Sequence, residues 1–150
     1  MVVGKMTIFE KTLNDILDGT MQGYLSHGFS AHLLAPAYVP VADTQYSFAD
    51  ISSFEVVGQD YLAKSVTGTA ITANNGNVAV GSDPIVFGNP ITLPLFRYFV
   101  LATGLPGASA ATKKLVAYAD LTVGGGAREV VRGALVFNHG PDGWFAFSQA

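Results

Sequence analysis

From Gly19 onward the chain is cut into short runs rich in Val, Ile, Phe, Tyr and Thr, each bounded by Gly, Pro, Asn or Asp. Branched and aromatic side chains fill a pleated surface, and the bounding residues supply turn backbone, so this pattern reads as short strands joined by turns. The expected strands are Ala31–Tyr38, Tyr61–Ala73, Val78–Val80, Ile85–Phe87, Phe96–Thr103, Lys114–Leu121, Glu129–Phe137 and Gly143–Phe147. An antiparallel sheet must close or stack to hide one apolar face. The expected fold class is therefore mainly β, an antiparallel β-sandwich or barrel of about eight short strands. Asn74-Asn75-Gly76-Asn77 offers the positive-φ residues of a tight hairpin, Gly124-Gly125-Gly126 reads as a second turn, and Pro106-Gly107 with Ala108 to Ala111 reads as a loop.

One helix is expected, near the front. Ile8, Phe9, Leu13, Ile16 and Leu17 recur at helical spacing and form an apolar stripe. Thr7 stands at an N-cap position with Glu10 three residues on, and Gly19 is a stop, which predicts a helix over Ile8 to Asp18. Ser47 before Phe48-Ala49-Asp50 is placed to cap one further helical turn. The expected organisation is a single domain over 1–150, with an N-terminal arm (1–6), the helix (7–19) and a β domain (31–147).

Charge is scarce. Charged residues make up 13 % of the chain, against roughly a quarter in ordinary soluble domains, while hydrophobic residues reach 49 % and the mean hydropathy is +0.36. A lone subunit would be poorly solubilised by such a surface, so part of the apolar excess is expected to be covered by other protein. The eight Lys and Arg are scattered and the net charge is −3, which argues against direct nucleic-acid binding. No membrane association is expected, because the longest uncharged stretch, Gly19 to Ala42, is broken by glycines and prolines. The start has no secretory pattern. Cysteine is absent, so disulfides and thiolate chemistry are excluded.

No motif carries catalysis. His27, His32 and His139 lack metal-pair spacing on a helix; His32 reads as a strand-end residue and His139 as a turn residue before Gly140-Pro141. Gly28-Phe29-Ser30-Ala31-His32 departs from the nucleophile elbow at its last position, leaving Ser30 as a loop serine. Gly124-Gly125-Gly126-Ala127-Arg128 lacks the Gly-Lys-Ser/Thr ending of a phosphate loop. No catalytic, cofactor-binding or metal-binding residue is assigned, and no cofactor is expected. The residues that suit an interface are apolar. Met1, Val2, Val3 and Met6 lie in the arm, and Phe96, Tyr98, Trp144 and Phe145 lie in aromatic strands. For the aromatic strands, burial on both sides within the subunit is the alternative.

The succession of segments resembles a known family. His32-Leu33-Leu34 runs into Tyr38-Val39-Pro40-Val41-Ala42-Asp43-Thr44, followed by Phe48-Ala49-Asp50-Ile51 and Glu55-Val56-Val57-Gly58-Gln59-Asp60-Tyr61. Together with Leu13 to Gly19 and Leu115-Val116-Ala117-Tyr118-Ala119-Asp120, these are similar to small virion structural proteins of tailed bacteriophages, most like capsid decoration (cement) proteins. Gly58-Gln59-Asp60-Tyr61 stands where many members have Gly-x-Gly-Tyr, and the aromatic tail ending Trp144-Phe145-Ala146-Phe147 matches no motif of the family. The resemblance implies a non-enzymatic protein on the outer surface of the capsid that binds the major capsid protein and itself, as a homotrimer. The alternatives are a tail, neck or fibre-base protein, or a carbohydrate- or receptor-binding β-sandwich.

Overall fold

The computed structural model describes residues 1–20, 24–58, 60–74, 76–122 and 127–148. The expected Gly124-Gly125-Gly126 turn, and Asn75 of the Asn-rich turn, lie outside these residues. The chain is mainly β, with 49 % strand and 12 % helix. In order the elements are β1 (Val2–Val3), β2 (Thr7–Ile8), α1 (Glu10–Leu17), β3 (Phe29–Leu34), β4 (Lys64–Val66), β5 (Ala70–Asn74), β6 (Asn77–Gly81), β7 (Ile85–Phe96), β8 (Tyr98–Thr103), β9 (Leu115–Asp120), β10 (Arg128–His139) and β11 (Phe145–Ser148).

These strands form three sheets, ordered β2-β9-β8-β3-β4, β1-β10-β7 and β11-β6-β5. All pairings are antiparallel except β1 with β10, where Val2 faces Asn138 and Val3 faces His139. In the five-stranded sheet every residue of β3 and β8 is buried, because both faces are covered. On one face Phe29, Ala31, Leu33, Phe99 and Leu101 meet Phe87, Phe137, Trp144 and Phe145 from the other two sheets. The Phe99 ring lies 4.7 Å from that of Phe137 and 5.3 Å from that of Trp144. On the other face Leu34, Tyr98, Val100, Ala102 and Leu115 are covered by Phe9, Tyr38, Phe48 and Ile51. The sandwich thus carries a third layer, supplied by the start of α1 and the segment 35–56.

All eight expected strands are present, with shifted limits. The Tyr61–Ala73 run is two strands, because Gly68 at φ +64 turns the chain from the five-stranded sheet into the β11-β6-β5 sheet. A Cβ at Gly68 would stand 2.5 Å from the Asp83 carboxylate and would have to displace it, and the positive φ favours glycine at that corner. β7 runs past its expected end at Phe87 through Pro90 and Pro94, which is tolerated because β7 is an edge strand of its sheet.

The front of the chain differs most from expectation. Thr7 does not cap the helix: it pairs with Tyr118 in β2, and Phe9 occupies the N-cap position without a side-chain cap. The first free amides are met instead by tertiary carbonyls, Phe9 N–H donating to Val116 (3.1 Å) and Glu10 N–H to Ala42 (3.0 Å). The arm is not loose either, since β1 and β2 are strands and Val3 and Met6 sit in the core. The Ser47 expectation holds as a single 3-10 turn, Phe48–Asp50, in which Asp50 Oδ2 accepts the Tyr46 and Ser47 N–H groups at 2.9 Å.

Candidate functional site

The helix docks through Phe9 at its N-cap and through two polar side chains of its body-facing side. Thr12 and Asp15 are its buried residues. Thr12 Oγ1 donates to the Leu115 carbonyl, Tyr46 OH donates to Asp15 Oδ2, and Lys114 Nζ donates to the Tyr46 hydroxyl oxygen while standing 3.8 Å from Asp15. The Lys11 ammonium lies 4.7 Å from the centre of the Tyr46 ring. Side chains three and four apart share a helix face, so Thr12 and Asp15 lie against the body together, next to Phe9 and Ile8 of the apolar stripe, which pack into the cores. Leu13 and Ile16 are only half-buried, and Leu17 is 77 % exposed. Leu13 and Leu17 line a shallow surface depression with Glu10, Lys11, Asn14 and Asp43. The amphipathic stripe is thus divided: Phe9 and Ile8 pack into the chain's own cores, Leu13 and Ile16 are half-buried, and Leu17 alone stands fully outward.

A second apolar face lies on the β11-β6-β5 sheet. Register places Ile71, Val80 and Phe145 across from one another, and likewise Ala73, Val78 and Phe147, all on one face. Val80 and Phe145 are buried in the core, whereas Ile71 is 57 % exposed and Val78 and Phe147 are partly so. The sheet extends beyond the body it grows from. In β5, Ala70, Ile71, Thr72 and Ala73 are all exposed. Further exposed apolar residues, Val57 and Val131, border a groove with Thr92, Leu93, Pro94 and Glu129.

Most of the interface residues read from sequence are used inside the subunit instead. Phe96, Tyr98, Trp144 and Phe145 are buried in its own two cores, as are Val3 and Met6. The both-sides-buried alternative holds for β8, because the five-stranded sheet is covered on both faces, whereas β11 buries Phe145 and leaves Phe147 partly exposed. Only Met1 and Val2 of the eight are exposed, and Met1 is tied by its ammonium to the Val136 carbonyl at 2.7 Å.

The histidines also sit differently from expectation. His32 is interior to β3 and 1 % exposed, and Ser30 is a fully buried strand residue of the same face. Together they form an ordered relay. Ser30 Oγ lies 2.8 Å from His32 Nε2, His32 Nδ1 lies 2.7 Å from Glu55 Oε1, and the Tyr61 hydroxyl donates to the same oxygen at 2.7 Å while accepting the Leu33 N–H. Burial holds His32 below its ordinary value, so the ring is neutral near pH 7; it donates from Nδ1 and accepts the Ser30 proton at Nε2. Burial pushes the Glu55 carboxyl up, but the His32 and Tyr61 hydrogen bonds and the Lys113 charge bring it below its ordinary value. Serine, imidazole and carboxylate are thus in the order of a hydrolytic triad. Phe48 closes over the ring at 4.1 Å and leaves Ser30 with no surface for a substrate. The relay pins β3 to the segment carrying Glu55 and Tyr61. His139 ends β10, its Nδ1 2.7 Å from the Gly140 carbonyl and its Nε2 3.1 Å from that of Ser82. Among the described residues no group of three or more His, Asp or Glu could hold a metal ion, and no helix is long and apolar enough to cross a membrane.

No family model, curated protein or solved structure matches the chain. The outward apolar face on β5 and β6 was not assigned from sequence, although the run from Ser65 to Ser82 contains no charged residue.

Proposed function

We propose that this protein is a non-enzymatic assembly subunit, a decoration or cement protein on the outer face of a tailed-bacteriophage capsid. The observation that carries the reading is the apolar surface left exposed beside a filled core, Leu17 at the end of α1 and Ile71, Val78 and Phe147 on the β11-β6-β5 sheet. Exposed apolar side chains grouped in this way are surface for a neighbour. The resemblance of the segment order to virion proteins and the sparse charge support the same reading.

The mechanism is adhesive. A rigid sandwich with apolar faces at α1, at β5 and β6, and at the Val57 and Val131 groove can touch several neighbours in a shell at once. Each contact is modest, but a subunit held by one contact meets the next at high effective concentration. Immunogold labelling of intact particles tests the proposal. Dense label over the head is expected. Label confined to the tail or to one vertex assigns the chain to the tail, neck or fibre base, and unlabelled particles beside abundant free protein overturn the virion reading.

A further inference from the structure

We infer that β5 is a strand-pairing edge for a second copy of this chain, joining two three-stranded sheets into one continuous sheet. Sheet edges expose unpaired N–H and C=O groups, and proteins guard them with short strands, Lys, Pro or a covering segment. The other edges here are guarded. β1 and β2 are two residues long, β4 is three residues with Lys64 among them, and β7 carries Pro90 and Pro94. β11 is four residues long, and the carbonyl of Trp144 just before it is taken by the Met6 N–H at 2.8 Å.

β5 has none of these devices. Its five residues, Ala-Ile-Thr-Ala-Asn, hold no charge and no proline, and it is the last strand of its sheet. Among the described residues, no backbone group of Ala70–Asn74 bonds beyond the ladder with β6. Ala70 to Ala73 are exposed on both faces of the strand.

The strand is complementary to itself. In an antiparallel pair centred on Thr72, Thr72 faces its own copy, and the large Ile71 faces the small Ala73 on the face that also carries Val78 and Phe147. The apolar face then runs unbroken across both copies. With no charge between Ser65 and Ser82, nothing in the hairpin repels an identical partner or selects a charged one. A two-fold axis through Thr72 gives the closed, isologous contact that most homo-oligomers use. This pairing deepens the assembly reading above, yet purified protein tests it without particles, so either can fail alone.

The chain has no cysteine, so a single introduced thiol reports only contacts between copies. Directly opposed residues of an antiparallel pair have Cα atoms about 4.5–5.5 Å apart, within disulfide range. Thr72→Cys should therefore cross-link purified protein to a dimer under mild oxidation, at least about tenfold faster than Ala70→Cys or Ser109→Cys, since pairing raises the local thiol concentration only at the axis. Ala70 faces Asn74 of the other copy in this register, and Ser109 lies on an exposed loop. Ile71→Lys should lower self-association in sedimentation at unchanged circular dichroism. If Thr72→Cys cross-links no faster than Ser109→Cys, or Ile71→Lys leaves association unaltered, the inference fails. Cross-linking of Thr72→Cys to shell protein on particles, with the purified chain remaining monomeric, also overturns it and gives the edge to the shell protein.

Discussion

Replacing Glu55 by Gln tests whether the buried relay stabilises this fold. Glu55 Oε1 accepts from His32 Nδ1 and Tyr61 OH, both at 2.7 Å, and its side chain is 24 % exposed. Gln keeps the accepting oxygen and removes the charge. Hydrogen bonds to a charged group contribute about 1.5–3 kcal/mol and neutral ones about 0.5–1.5, so the two bonds together lose about 2 kcal/mol. Relief from burying a carboxylate returns part of this, leaving a net loss of about 1–2 kcal/mol at pH 8. In a chain of this size that corresponds to a fall in Tm of about 2–8 °C.

The pH dependence follows from the same groups. His32 is held below its ordinary value of 6.5, so the unfolded chain takes the proton first. Its contribution is complete above 6.5 and is lost as the pH falls below that value. Glu55 is held below its ordinary 4.5, so its contribution is present above 4.5 and is lost as the pH falls toward its folded value. Urea unfolding followed by Trp144, which is 1 % exposed in the main core, measures both. Wild type should weaken from pH 8 to 5 and again below 4.5. Glu55→Gln should retain the histidine slope, made steeper by loss of the carboxylate that favours the imidazolium, and lose the lower step. A variant within about 0.5 kcal/mol of wild type at pH 8, the usual scatter of neutral substitutions, or a flat wild-type profile between pH 8 and 5, would refute the reasoning.

Three other outcomes are expected. Gly143→Ala should cost about 2 kcal/mol or more, because its φ is +71 and a Cβ would stand 2.9 Å from the Val80 carbonyl carbon; Gly107→Ala, with nothing within 4 Å, should be near neutral by the same thermal melt. Phe99→Ala should cost about 3–5 kcal/mol and alter the emission of Trp144, since the ring is fully buried against Phe137 and Trp144. Leu17→Lys should leave the melting temperature unchanged or raise it slightly, since the last turn of α1 has no basic residue to meet the helix dipole, while co-sedimentation with particles falls. Unimpaired particle binding by Leu17→Lys would remove α1 from the contact surface.

Where strands lie was legible because turn chemistry is local. Gly, Pro and Asn bracket the runs, and the eight expected strands are present, one of them divided at Gly68. What they pair with was not legible, since β1 meets β10 more than a hundred residues away and turns the expected arm into core. The periodicity of α1 identified which side chains share a face but not which face the body covers. Burial was decided by Tyr46 and Lys114, whose positions come from tertiary structure. The same limit applies to the relay. Ser30 and His32 are two apart in a strand and so share a face, but Glu55 and Tyr61 reach them through a segment whose path no local pattern encodes.

The exposed apolar surface of this molecule lies apart from the side chains that hold its core together. Both faces of the central sheet are saturated by Phe, Trp, Tyr and Leu side chains from the subunit itself, and the polar helix face is saturated by Tyr46, Lys114 and Leu115. The outward residues Leu17, Ile71 and Val78 are therefore surplus to the core. Surplus apolar surface lowers solubility, and selection for a solitary protein would remove it at little structural cost. Its persistence on one helix and one hairpin, both otherwise well ordered by hydrogen bonds, is accounted for if other protein covers those places. Substitutions there should change what the subunit holds and leave how it folds intact, whereas substitutions at Phe99, Glu55 or Gly143 should do the reverse.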